Sequence, residues 1–420
     1  MRRRKRVRRR RRSPVKWVIG LLVLCALAAG WLYVHGKMVQ WERTAEAYRT
    51  FAGTEKDWIL SCQTDDGLIL YRQWDPEEYR EEQTVFPYFS TIAALGLLSG
   101  TVTEEHAEGA LRYQQWYLNH LNTSAQDLQN GRGTVSDCRV IREGASLREE
   151  SLQTYDSVDS YAAMFLLLVD RYAQAVSDEL LFSRTEDILL VLEALLNTIG
   201  PNGLFYAKSE YPVQYLMDNS EVYAGLCAAA RILERMDPSG QLEQVRTMAL
   251  QLREAMDLLL WNHTGGHYEV GLFEGDLLDF DGWTSFYPDG VCQLFPLCFG
   301  VLSPDSERAA QLYDQFCRTW SWERLEHQRR DINSFYWCAI GYAAAIMQDE
   351  TRLTVYMDQY RDGVTQAGRA YPLYTGEAGW MAMACGHMEE AYRQRLQWTG
   401  LAHAAADWFA DGWKRFSATF

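Results

Sequence analysis

Two stretches of this chain repeat one arrangement of carboxylates. YDSVDSYAAMFLLL (155–168) and MDNSEVYAGLCAAA (217–230) each place a carboxylate, two short residues, a second carboxylate, one more residue, then Tyr-Ala and an apolar run. The carboxylates are Asp156 and Asp159 in the first, Asp218 and Glu221 in the second. Two carboxyl groups across a cleft can divide acid–base work, one protonating a leaving oxygen while the other activates water. The plainer alternative is a capping box, in which the carboxylates satisfy backbone N–H groups at a helix start and favour the helix dipole.

Aromatic residues crowd the same stretches and others like them: Tyr88, Tyr155, Tyr161, Tyr215, Tyr223, Trp283, Phe286, Tyr287, Tyr336 and Trp380. Carboxylates over Trp and Tyr rings suit a glycosidic bond, which breaks through an oxocarbenium-like transition state. On this reading Glu221 is the general acid, its pKa raised by the apolar helix beside it. Asp159 is the base that activates water. Asp156 and Asp218 orient sugar hydroxyls or the partner carboxylate, and Tyr88, Tyr155, Tyr215, Trp283, Tyr287, Asp289 and Trp380 contact substrate.

These residues need elements to hold them. Apolar positions three and four apart predict helices over 38–62 and through most of 84–398. Six of them run small and apolar after a polar or aromatic entry, beginning VFPYFSTIAALGLL, YDSVDSYAAMFLLL, MDNSEVYAGLCAAA, PDGVCQLFPLCFG, RDINSFYWCAIGYAAA and LYTGEAGWMAMACG. Between them lie amphipathic, charge-rich helices such as HAEGALRYQQWYLNHL and QLEQVRTMALQLREAMDLLLW. A helix apolar nearly all round belongs inside, and one with a charged face belongs outside. Six alternations predict an all-α (α/α)6 toroid, a closed ring of six helical hairpins. Its inner helices all point one way, so Asp156, Asp159, Asp218, Glu221, Asp289, Asp331 and Glu377 gather at one mouth. Gly turns with short β-prone tails follow the outer helices at DDGLILY, PNGLFYA and TGGHYEV, where Gly takes the left-handed conformation that ends a helix.

The N-terminus is of another kind. Residues 1–16 hold 11 Lys and Arg, and WVIGLLVLCALAAGWLYV (17–34) is an uncharged 18-residue apolar run. The run is at the short end for a membrane-spanning helix, and its basic flank predicts a cytoplasmic N-terminus. The expected plan is a basic cytoplasmic tail at 1–16, a transmembrane anchor at 17–35 and one extracytoplasmic (α/α)6 domain at 38–420. A cleaved signal peptide ending near Ala-Leu-Ala-Ala-Gly is the alternative. All 56 Asp and Glu lie beyond the run with 30 Lys and Arg, giving about −26 there. That balance argues against nucleic acid and other polyanions and suits a neutral or cationic ligand. No CxxC or Cys/His cluster has metal-ligand spacing, so neither metal nor cofactor is expected. The partners expected are an oligo- or polysaccharide and the membrane.

With its DSVDSY and MDNSEVYAGL helix starts, Gly turns and VFPYFSTIAALGLL, the chain resembles the six-hairpin glycosidase superfamily over roughly 55–390, nearest to glycoside hydrolase family 8-like bacterial proteins. The resemblance implies a sugar-binding cleft at the N-terminal ends of the inner helices, often for β-linked polysaccharide, and weakly an inverting reaction. It also implies a general-acid Glu in a Ser-Glu-Gly context near the first inner helices. Here that region reads EEQTVFPYFS, with Glu81 and Glu82 the carboxylates present. A catalytically silent, glycan-binding toroid of an envelope or exopolysaccharide assembly is the competing reading.

Overall fold

The computed structural model describes residues 14–123, 131–236, 240–331, 334–366, 368–397, 400, 402, 404–406 and 408, with backbone alone at 14–16, 19–20 and 23. The chain divides into two compact units, one of residues 1–47 with 389–420 and one of residues 48–388.

Twelve helices carry the architecture: α1 (Pro14–Ser61), α2 (Pro87–Leu97), α3 (Glu104–Asn119), α4 (Asp159–Ala175), α5 (Thr185–Leu196), α6 (Leu216–Met236), α7 (Gln241–Leu259), α8 (Phe295–Cys298), α9 (Glu307–Thr319), α10 (Cys338–Ile346), α11 (Glu350–Tyr360) and α12 (Thr375–Arg395). The even-numbered helices are the small, apolar ones, and they pack side by side: α2 on α4, α4 on α6, α6 on α8, α8 on α10. Absence of side chains sets their spacing at two points. A β-carbon on Gly225 of α6 would lie 2.6 Å from Ala163 Cα of α4, and one on Gly96 of α2 would lie 2.6 Å from Gly379 Cα of α12. Contact between α2 and α12, reinforced by Ser99 Oγ donating to Ala382 O at 2.8 Å, closes the ring. The odd-numbered helices lie outside, several started by an ordinary side-chain cap, as at Thr103, Ser306 and Asp349. The helical toroid is therefore the observed architecture of the second unit.

Each of the first four outer helices is followed by an antiparallel bridge, Gln63 with Ile69, Leu121 with Val135, Ile199 with Phe205, and β5 (Trp261–Asn262) with β6 (His267–Tyr268). One glycine within each bridged segment has positive φ: Gly67, Gly133, Gly203 and Gly266. Two also have no room for a side chain, since a β-carbon would meet Arg112 O at 2.3 Å (Gly67) or Leu190 O at 2.4 Å (Gly133). A left-handed backbone and a carbonyl of the next outer helix together leave Gly as the residue that fits.

Three features depart from expectation. The charge-rich segments β1 (Arg80–Val85), β2 (Cys138–Glu143) and β3 (Ser146–Ser151) form an antiparallel sheet in the order β1-β2-β3. A second sheet joins β4 (Val213–Tyr215), β7 (Gly271–Phe273) and β8 (Asp276–Leu278). The helix expected at PDGVCQLFPLCFG is broken, with a π turn at Phe286–Gly290 and an α-helix at Phe295–Cys298. Helix α1 runs unbroken back to Pro14, a residue tolerated in a first helical turn. Among the described residues no helix is long and apolar enough to cross a membrane, so the expected span at 17–35 lacks support there. The side chains of Ile19, Gly20 and Val23, and the basic residues 1–13, lie outside the described residues.

Candidate active site

The N-terminal ends of all six inner helices open into one cavity of about 660 Å³, within the usual size of small-ligand sites. Helix α2 and its approach supply Phe86, Tyr88 and Phe89; α4 and its approach supply Asp156, Ser160 and Tyr161; β4 and α6 supply Tyr215, Asp218 and Glu221. The segment before α8 contributes Tyr287, α10 and its approach contribute Phe335 and Trp337, and α12 with its approach contributes Tyr374, Glu377 and Trp380.

A single tail sets the two repeated stretches beside each other. Ala207 O accepts from Val158 N (2.6 Å) and Asp159 N at the start of α4. Two residues earlier, Phe205 exchanges both backbone bonds with the Asn219 amide on α6, at 2.7 and 3.1 Å. The chain from 205 to 207 therefore spaces Asp156 from Asp218 and Glu221. Neither stretch is a capping box. The N-cap of α4 is Val158, with no side-chain cap bond, and Asp218 and Glu221 lie inside α6.

Glu221 is 2 % exposed and accepts a hydrogen bond from the Tyr88 hydroxyl through Oε1. Burial pushes its pKa up to about 8, the Asp218 charge adds to that, and hydrogen bonds from Tyr88 and Ser160 act against it. Asp218 is raised to about 7 by burial and by Asp156. Asp156 is exposed. Asp137, in the loop before β2, accepts from Tyr161 Oη at 2.8 Å and is raised by burial to about 7.

The opposite side is a run of touching rings. Tyr88 meets Phe89 at 5.1 Å between centroids, Phe89 meets Tyr374 at 4.6 Å, Tyr374 meets Phe335 at 5.1 Å, Phe335 meets Trp337 at 5.9 Å and Trp337 meets Tyr287 at 4.8 Å. Trp337 has a left-handed backbone, φ 56°, an uncommon state for a bulky residue. Glu377 holds it there: its two oxygens accept from Trp337 N at 2.9 Å and Cys338 N at 2.6 Å. This carboxylate of α12 caps the start of the neighbouring inner helix α10.

Of the residues picked from sequence, Tyr88, Asp156, Tyr215, Asp218, Glu221, Tyr287 and Trp380 line the cavity. The others lie elsewhere. Asp159 is fully buried behind the wall, with Oδ1 accepting from Ser160 N at 2.7 Å and its pKa pushed well up, first by burial and then by Asp218. Tyr155 is buried against Val158, Tyr161 and Ala194. Asp289 ties its own loop, accepting from Asp281 N and Ser285 Oγ at 2.6 Å each. Trp283 packs on Phe280 and gives its carbonyl to Trp320 Nε1. Asp331 is exposed and off the lining. Glu81 pairs with Arg72 and Arg142, and with Glu82 it sits on strand β1, away from the cavity. Sequence reasoning overlooked Phe89, Phe335, Trp337 and Tyr374 as site residues. The aromatic entries FPYF, SFYW and LY were the signal for them.

No protein-family model matches the chain, and no curated protein matches it in sequence. Solved structures do share the fold. A wild-type glycosidase aligns with a TM-score of 0.55 and 12% identity, covering 83% of this chain and 97% of the other. A variant glycosidase in complex with glucose aligns with a TM-score of 0.55 and 11% identity, over 82% and 97%. An alpha-amylase from Clostridium perfringens aligns with a TM-score of 0.50 and 7% identity, over 80% and 97%. What these likenesses establish is the helical toroid that this chain has in common with glycosidases.

Proposed function

We propose that this chain is a glycoside hydrolase of an oligo- or polysaccharide, with Glu221 as general acid. The observation that carries the reading is Glu221 itself, buried in a cavity wall with its pKa raised to about 8. It holds its proton at neutral pH and faces a space bounded by rings. A carboxyl that burial keeps protonated can serve as the acid while a second carboxyl of the same cavity serves as the base. We assign the base to Asp156, the cavity carboxylate open to water, instead of the enclosed Asp159. In the reaction Glu221 gives its proton to the leaving oxygen, the glycosidic bond breaks, and Asp156 takes a proton from the water that attacks the anomeric carbon. Tyr88 orients the acid, and the ring wall stacks on the apolar faces of the sugars.

We place the enzyme at the cell membrane, with its N-terminus cytoplasmic and the toroid outside. The uncharged run at 17–34 and the 11 basic residues before or beside it support this topology. Protease added to intact cells is expected to digest the toroid and spare the N-terminal tail.

Reducing-end release from a panel of neutral and amino-sugar polysaccharides tests the activity. Release by the parent is expected, with a loss of about 10²–10⁴ in Glu221→Gln and an unchanged circular dichroism spectrum. Equal release by both proteins returns Glu221 to a structural role. Saturable glycan binding without release from any polymer makes the toroid a binding module.

A further inference from the structure

The cavity holds more carboxyl groups than hydrolysis uses. An acid and a base need two carboxyl groups, and Glu221 and Asp156 supply them in the reading above, on which this inference rests. Glu377 is committed to the two N–H groups at the start of α10. Asp218 is left over. It lines the cavity between the other two in its electrostatic influence, raised by Asp156 and itself raising Glu221. No residue of the lining is Lys, Arg or His, among the described residues. Lys208 acts on Asp137. Its Nζ donates to Tyr155 O at 2.7 Å, and it is absent from the lining.

A cavity with surplus carboxylate, no internal cation and a wall of rings lacks one partner. A uronate, sulfate or phosphate on the sugar would meet only like charge. A neutral hydroxyl would leave Asp156 and Asp218 repelling each other. An ammonium group relieves that repulsion, and the faces of Trp337, Tyr287 and Tyr374 also attract cations. The overall acidity of the chain draws the same ligand towards the protein. We infer that the substrate is an amino sugar with a free amine, and that Asp218 receives its ammonium group.

The probes are D-glucosamine, N-acetyl-D-glucosamine and D-glucose, which differ only at C2 and make the test independent of linkage. Binding is read from the fluorescence of the cavity tryptophans in the full chain at pH 7, where the Asp218 carboxylate is available to an ammonium group. Glucosamine is expected to bind at least tenfold more tightly than either neutral sugar. That gap should close in Asp218→Asn and narrow with added salt, as an ion pair requires. Equal affinity for the three sugars, or no saturable binding of glucosamine, overturns the inference. A gap that persists in Asp218→Asn overturns the role of that residue. Glu221-dependent release from neutral polymers alone overturns the amine preference while leaving the hydrolase reading intact. Selective glucosamine binding without release from any polymer does the reverse.

Discussion

The two halves of the ring build their share of the cavity differently. In the first half, α2, α4 and α6 are regular helices, and α4 and α6 hold the carboxylates within or just before their first turns. In the second half the entries are irregular. Tyr287 is non-helical inside a π turn, and Trp337 precedes α10 in a left-handed conformation fastened by Glu377. Chemistry on a regular frame and sugar contact on a distorted one is a division with a reason. Proton transfer needs groups fixed within a fraction of an ångström, whereas a ring face must be turned to fit its ligand. Backbone strain is tolerated where the surroundings over-determine it, and Glu377 with its two N–H bonds does so here.

Substitutions can break this comparison. The largest effect is expected for Asp156→Asn in the first half, a fall of about 10²–10⁴ in kcat with KM little changed. Trp337→Ala in the second half should instead raise KM about tenfold and leave kcat nearly intact, on the scale of one buried aromatic side chain. Loss of kcat in both variants would erase the division. Gly379→Ala tests the seam where the halves meet. A β-carbon there would lie 2.4 Å from Ile92 O, so thermal or urea unfolding should show a loss of about 1–3 kcal/mol.

The acid predicts a pH signature of stability. Its folded pKa, about 8, lies above the ordinary 4.5, so between those values the native state holds more protons than the unfolded one. Stability from this group is present below about pH 4.5 and is lost as pH rises towards 8. Thermal unfolding of Glu221→Gln should therefore fall less from pH 5 to pH 8 than that of the parent. Parallel curves would show that Glu221 is not the shifted group. The smallest effect is expected at Trp283, which lies off the cavity. Trp283→Phe should leave kcat and KM within about twofold, as expected for a residue with no contact to the substrate.

What could be read from sequence follows the same line. The six hairpins were legible because the inner helices are small and apolar all round while the outer ones carry charge. Glu221 and Asp218 were legible as cavity residues because a regular helix maps spacing onto direction, and Asp156 because it leads directly into one. Asp159 shows the limit of that mapping. It shares its stretch with Asp156, yet the first turn of α4 carries it behind the wall, and a three-residue interval does not say which partner faces the space. The β1-β2-β3 sheet escaped notice because REEQTV, CRVIRE and SLREES carry exposed charge where strands usually show alternating apolar residues. Asp289 looked like a mouth residue under an unbroken helix beginning PDGVCQLFPLCFG, and Trp283 like a loop residue at its entry. The π turn gave them other partners.

The contact of Gly96 with Gly379 has a consequence for how the molecule comes into being. It joins the first inner helix to the last, across nearly the whole length of the ring. A chain made from its N-terminus has the acid, the base and Asp218 in hand when α6 is complete. Tyr374, Glu377 and the clamp on Trp337 arrive only with α12. Contacts of such long sequence separation form late because loop closure must precede them. Until then five hairpins stand as an open arc with its small, apolar inner edges in solvent, the kind of surface that associates with other chains. Truncation just before α12 would therefore be expected to produce aggregation instead of a weakened enzyme.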